Sequence, residues 1–153
     1  VASSSSSHAE GYQTEASANY AHAEGYQSDA TGLASHAQGY RSTASGLYSN
    51  ASGRNATASA NSASAIGYNV TADQANSTVV GQWNALNQGG LLFAVGNGEA
   101  EDDRSDALQV DTAGNVLAAG RLFAEGSDLL QLVINLQAQV DSMQIQLNLL
   151  QGE

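Results

Sequence analysis

The sequence predicts a mainly β chain: a parallel β-roll of fourteen-residue rungs over residues 1–90, a short β-rich neck over 91–126, and an α-helical coiled coil over 127–153. Three observations carry this reading. Glycine recurs at every fourteenth position from Gly11 to Gly81. Within each repeat, small residues alternate with larger ones at period two. The C-terminal stretch drops that rhythm for apolar residues at alternating steps of four and three.

The rungs come first. Ala9, Ala23, Ala37, Ala51, Ala65 and Val79 stand two residues before the repeating glycines, and Ala16, Ala30, Ala44, Ala58, Ala72 and Leu86 stand five after. Alternation in His8-Ala9-Glu10-Gly11-Tyr12 and again in Glu15-Ala16-Ser17-Ala18 reads as two short strands, each with one face restricted to small side chains. Fourteen residues hold two such strands and two tight turns, which is one coil of a narrow solenoid. Facing walls leave room only for Ala or Gly. Stacking strand on strand advances about 4.8 Å per rung, so six rungs span roughly 29 Å. So thin a coil buries too little apolar surface to offset its chain entropy, and identical copies of itself are the expected cover.

The outward face of the first strand is the surface such copies would share. His8 and Glu10 are followed by His22 and Glu24, His36 and Gln38, Asn50 and Ser52, Ser64 and Ile66, Thr78 and Val80. The stripe begins polar and ends aliphatic, which suits an axis common to several chains. Tyr12, Tyr26, Tyr40 and Tyr68 take the next outward position. On the other wall, Thr14, Ser28, Ser42, Ala56, Val70 and Asn84 read as an outer column beside Glu15, Asp29, Thr43, Thr57, Thr71 and Ala85. Neither is a continuous threonine column, which disfavours an ice-binding face.

At these residues the chain resembles a known family. "SAIGYNVTA" and "STVVGQWNA" resemble the rungs of trimeric autotransporter adhesin heads, and the His-Ala-Glu-Gly-Tyr variant is similar to rungs of phage tail-fibre and appendage proteins. "LLFAVGNGEAEDDRSDALQVDTAGNVLAAGR" resembles the segment that follows such rolls in phage-like fibres. The resemblance covers about residues 7 to 121. It implies a trimeric left-handed parallel β-roll, with His8, Glu10, His22, Glu24, His36, Gln38, Ile66 and Val80 as the trimer-interface ladder. Two departures are visible: His and Glu replace the usual aliphatic pair in the early rungs, and no cleavable or chaperone domain follows within the sequence. Val1 is not an initiator Met, so a fragment or processed product is expected.

In the neck, Leu91–Val95, Ala107–Val110 and Val116–Ala119 read as short strands, with Gly96-Asn97-Gly98 and Gly114-Asn115 as turns. The period is expected to break from Leu91 onward. Glu99, Glu101, Asp102, Asp103 and Asp106 surround Arg104. A calcium loop is the sharp reading, but the EF-hand spacing is missing, and a solvated loop with Arg104 paired is expected.

In the tail, Leu129, Val133, Leu136, Val140, Met143, Leu147 and Leu150 form a heptad seam, with Val133, Val140 and Leu147 at a. Gly126 precedes Asp128, and Asp128 with Gln131 can make a capping box. About 23 helical residues give roughly 35 Å of rod. Val at a with Leu at d leans toward two strands, whereas Leu130 and Leu132 widen the seam and the roll in front favours three. The helix lacks Lys and Arg, against a membrane-surface role.

Composition narrows the function classes. The 153 residues carry a net charge of −11, which disfavours binding to nucleic acid or acidic membranes. There is no Cys, so neither a disulfide framework nor a zinc-thiolate site is available. No apolar run reaches membrane-spanning length. No Gly-x-Ser-x-Gly elbow is present. Glu15 and Asp29 fall on adjacent rungs at a separation that would suit a retaining glycosidase, but on an outer strand with no cleft to raise either pKa. No catalytic residues, cofactor or metal are therefore expected. For His8, His22 and His36 a polar ladder, each imidazole bonded to the Glu or Gln two residues on or to another chain, is favoured over an axial transition-metal site.

The expected function is non-enzymatic: a segment of a phage or phage-like tail fibre, contacting a cell-surface glycan or protein and other particle components. The alternative is the head and neck of a bacterial trimeric surface adhesin. The expected location is accordingly a virion tail or extracellular injection-system fibre, or else the bacterial cell surface. Expected contact residues are Gln13, Glu15, Tyr20, Gln27, Asp29, Arg41, Tyr48 and Trp83, on outer strands and turns, with Asn19 beside them.

Overall fold

The computed structural model describes residues 1–124 and 127–152. Two compact units divide the chain, Val1–Leu117 and Ala118–Glu153. In the first, each of five rungs lays down a five-residue strand and then a two-residue strand. These are β1 (His8–Tyr12) and β2 (Glu15–Ala16), β3 (His22–Tyr26) and β4 (Asp29–Ala30), β5 (His36–Tyr40) and β6 (Thr43–Ala44), β7 (Asn50–Arg54) and β8 (Thr57–Ala58), β9 (Ser64–Tyr68) and β10 (Thr71–Ala72). Then come β11 (Thr78–Gln82), β12 (Leu91–Asn97), β13 (Asp106–Asp111) and β14 (Val116–Ala118).

Rungs stack in parallel and in register. His8 faces His22, His22 faces His36 and His36 faces Asn50, while glycine faces glycine along the whole column. The short strands make a second parallel sheet, with Glu15 opposite Asp29 and Thr43 opposite Thr57. The chain is thus a β-solenoid of about six turns with rungs of about fourteen residues, mainly β, ending in one helix.

Two backbone features hold each coil. At Gly39, φ is +107°, and a Cβ would lie 2.2 Å from the carbonyl oxygen of Gly53 on the next rung. Only hydrogen fits there. The corners use left-handed residues: Gln13, Gln27, Arg41, Asn55, Asn69 and Trp83 at one, Ser6, Tyr20, Ala34, Tyr48, Ser62 and Asn76 at the other. Such a conformation costs a non-glycine residue roughly 1–2 kcal/mol, which the repeating inter-rung hydrogen bonds offset.

The core is made of small side chains. Its buried apolar members are all alanine except Val70, Val79 and Leu91. The column Thr14, Ser28, Ser42, Ala56, Val70 and Asn84, expected outside, is buried. The left-handed residue before each member turns the corner, so the alternation restarts with an inward side chain. Ser28 and Ser42 there donate to the carbonyls of Gly39 and Gly53, at 3.2 and 3.0 Å.

The sequence period slips at the neck but the stack does not. Gly96 comes fifteen residues after Gly81, yet β12 pairs with β11 in parallel, Val79 opposite Ala94 and Gly81 opposite Gly96. Gly96 and Asn97 therefore lie in a strand, not in the expected turn; Gly98 alone of that trio follows it. Antiparallel β13 then ends the parallel run. The second sheet ends at β10, where the buried amide of Asn84 stands in for a further strand. It accepts from the Thr71 N–H at 2.7 Å and donates to the Thr71 and Ala85 carbonyls at 3.0 and 2.7 Å.

In the second unit, β15 (Phe123–Ala124) pairs antiparallel with β16 (Ser127–Asp128), and α1 (Leu129–Gln151) follows. Asp128 caps it by accepting from the N–H groups of Leu130 and Gln131. The reciprocal half of the expected capping box is not made. Gln131 donates instead to Asn135 at 3.0 Å, one of three glutamine donors along the helix with Gln137 to the Asp141 carboxylate and Gln144 to Asn148. Gly126 lies outside the described residues. On the seam, Leu129 is half-buried, and Val133, Leu136, Val140, Met143, Leu147 and Leu150 are exposed.

Candidate functional site

The outer face of the larger sheet carries the densest polar array. Because the rungs are in register, His8, His22 and His36 form one column, with ring centroids 4.8 Å apart at both steps and the His22 and His36 rings nearly parallel. The expected hydrogen bond to the acid two residues on is not made within the chain. His22 Nε2 lies 4.0 Å from Glu24 Oε2, beyond hydrogen-bond reach. Gln38 donates along the stack to Ser52 Oγ at 2.9 Å rather than to a histidine. The Nε2 atoms of His22 and His36, and Oδ1 of Asn50 on the next rung, are shielded from solvent and without a partner. Burial, then the neighbouring His22, hold the His36 imidazole below the usual histidine range, with Glu24 opposing.

Beside this column runs an open groove of about 510 Å3, floored by Gly11, Gly25, Gly39 and Gly53 and walled by Glu10, Glu24, Gln38 and Ser52. Further up the same face, Ile66 is exposed and Val80 half-buried. Tyr12, Tyr26 and Tyr40 stack at 5.0 Å, and the Arg41 and Arg54 guanidiniums sit over the Tyr40 ring. Stacked in this way, the inner rings offer edges rather than faces, a poor platform for a sugar ring.

The other expected contact residues do not gather at one place. Gln13, Gln27 and Arg41 form a corner ladder, with Gln27 donating to Gln13 at 2.7 Å and Arg41 to Gln27 at 2.9 Å. Tyr20 and Tyr48 stand exposed on the opposite corner, two rungs apart with Ala34 between. Glu15 and Asp29 are paired across the second sheet. Contrary to expectation, the Asp29 carboxyl is held above the usual carboxylate range, by partial burial first and by Glu15 second. Trp83 is committed to packing: Tyr68 meets it edge-on at 5.7 Å, and Arg104 lies 5.0 Å from its ring centre.

Arg104 anchors the acidic loop. It pairs with Glu101 at 2.8 Å and donates to the carbonyls of Asn69 and Asn84, at 3.1 and 3.3 Å. Its hydrogen bond holds the exposed Glu101 carboxyl below the usual range. Asp106 is buried and accepts from the Ala85 N–H at 3.1 Å and from Gln109 at 2.7 Å. Among the described residues, no three His, Asp or Glu side chains converge as a metal would require, and no helix is long and apolar enough to cross a membrane. Sequence reasoning missed Asn84 as the plug of the second sheet. The available sign was an amide in a column otherwise filled by Thr, Ser, Ala and Val.

The fold and its surfaces define a β-solenoid with two polar ladders, at the sheet face and at the corner. No family model matches the chain, and no curated protein or solved structure matches it significantly.

Proposed function

We propose that the chain is a non-enzymatic segment of a phage or phage-like tail fibre, acting as a stiff homotrimeric spacer and platform that contacts a glycan or protein on a cell surface. The observation that carries the reading is the inversion of the first unit. Its interior holds little more than alanine and serine, while Ile66, Leu92 and the tyrosines lie outside. A coil built this way gains most of its remaining apolar burial from other copies of itself. The exposed heptad seam of α1 supports the same state. Three copies multiply any weak contact without improving it, which is how such a platform would hold a surface.

The test is mass in solution by light scattering, then binding of the labelled oligomer to a glycan array and to whole bacterial cells. A trimer that binds cells is expected. A monomer that melts cooperatively at high temperature at low concentration would remove the basis of the reading, and a trimer that binds nothing would reduce the segment to a shaft.

A further inference from the structure

We infer that the column His8, His22 and His36 is a contact strip for further copies of this chain, and that it holds them only while its imidazoles are uncharged. This rests on the self-association reading above and adds its regulation.

The argument starts from the two orphaned nitrogens. Nε2 of His22 and of His36 is shielded from water and has no hydrogen-bond partner among the described residues, although the His22 side chain as a whole is 41% exposed. A shielded polar atom without a partner is rare in folded proteins and disfavoured where it occurs. Among the described residues none supplies the bond: Glu24 stops at 4.0 Å, the Gln38 amide N–H is donated to Ser52, and Asn50 Oδ1 is orphaned itself. A second copy carries the right groups at the right interval, because Glu10, Glu24 and Gln38 recur rung by rung beside the histidines. The strip also runs on into Ser64 and Thr78, and its neighbour into the exposed Ile66 and the half-buried Val80, so polar and apolar contact would form along one line.

The charged groups facing the column are few. Glu10 and Glu24 flank it from β1 and β3; β5 contributes the neutral Gln38; Arg41 and Arg54 lie beyond it, over Tyr40. Three copies bring nine imidazoles together, three per chain, against six flanking carboxylates, two per chain. Protonation places like charges about one rung apart, with only part of that charge offset. The direction is already set within one chain, where burial and His22 hold His36 below its ordinary value. Association adds burial and further imidazoles, so the assembled state binds fewer protons than the dissociated one. Association is then full above the imidazole values of the dissociated chain and is lost as pH falls below them, a window that for His36 lies under the ordinary 6.5. Each imidazole whose pKa drops by about one unit on association weakens it about tenfold at acidic pH.

The experiment is sedimentation of the whole chain at pH 7.5 and pH 5.0, with far-UV circular dichroism at both. Two variants accompany it: His8→Asn/His22→Asn/His36→Asn, and His8→Ser/His22→Ser/His36→Ser. Asn50 and Ser64 occupy the same column in later rungs, so both replacements have a precedent within this fold. The expected result is a trimer at pH 7.5 whose dissociation constant rises at least tenfold at pH 5.0 with the strands intact, and variants that lose this response. A wild-type trimer equally tight at both pH values overturns the regulation and leaves the spacer reading standing. So does a pH response that survives in both variants. A monomer at pH 7.5 overturns both readings.

Discussion

Replacing Gly39 by alanine tests the packing of one rung of the solenoid against the next. The new Cβ would sit 2.2 Å from the Gly53 carbonyl oxygen and 3.0 Å from its carbon, and both are backbone atoms of the next rung. No side chain can swing aside. Relieving the overlap means displacing a strand that is hydrogen-bonded on both edges. Overpacking of this kind costs about 1–3 kcal/mol. The backbone adds its own penalty, because φ at Gly39 is +107° and a residue with a side chain pays about 1–3 kcal/mol there. Together they remove about 4 kcal/mol, a large share of a typical total of about 5–15 kcal/mol. For a chain of this length that lowers Tm by about 8–16 °C. Thermal melts followed by circular dichroism at fixed protein concentration measure it, with Gly89→Ala as the control, since nothing lies within 4 Å of a Cβ there. A Gly39→Ala chain that melts with the wild type, or no lower than the control, would refute the claim that the glycine column is required by contact between rungs.

Asn84→Ala should lower stability by about 2–3 kcal/mol, because it leaves the Thr71 N–H and C=O without partners; hydrogen exchange at the Thr71 amide should accelerate in step. Arg104→Ala should change the fluorescence of Trp83, the only tryptophan, and cost about 1–3 kcal/mol through the two carbonyls it serves; an unchanged emission spectrum would count against their contact. Asp29 has a raised carboxyl pKa, so the folded state holds its proton longer than the unfolded one. Its contribution is fully present below about pH 3.8 and is lost as pH rises through the raised value. Glu15→Gln should move the Asp29 carboxyl titration, followed by NMR, toward the ordinary value and leave part of the shift, since burial is the larger cause.

The solenoid was legible because its constraint is local and repeated. A fourteen-residue glycine column and an alanine column two residues earlier leave few alternatives to stacked coils, and both columns stand in register as read. The corners were harder. Asn55 and Asn69 tolerate the left-handed conformation by their chemistry, but Gln27, Arg41 and Trp83 occupy the same corner only because the stack imposes it. That corner reverses the alternation, which is why the Thr14 column was assigned to the wrong side; Ala56 and Val70 within it were the sign of an interior. The seventh parallel strand was hidden by a single added residue, since a strict period search stops at Gly81 while Gly96 still fits the column. At the face of the larger sheet, the residues in the ladder were readable from spacing alone. Their bonding was not, because Gln38 and Ser52 satisfy each other along the stack instead of across the strand.

The termination of the solenoid follows from the same economy that builds it. Each rung is held by the one above it, so the last rung would leave a row of unpaired backbone groups open to another chain. The two sheets meet this differently. The larger one changes direction, with β13 pairing antiparallel to β12 and presenting side chains of its own. The smaller one has only two residues per strand, too few for a hairpin to repay its ordering, and a single amide does the work at Asn84. Arg104 then ties both endings together, reaching the Asn69 and Asn84 carbonyls from the loop that leads into β13 while it covers Trp83. Two of the acidic residues around it take part in the same endings: Glu101 fixes the guanidinium, and Asp106 receives the Ala85 N–H that a further short strand would otherwise have bonded.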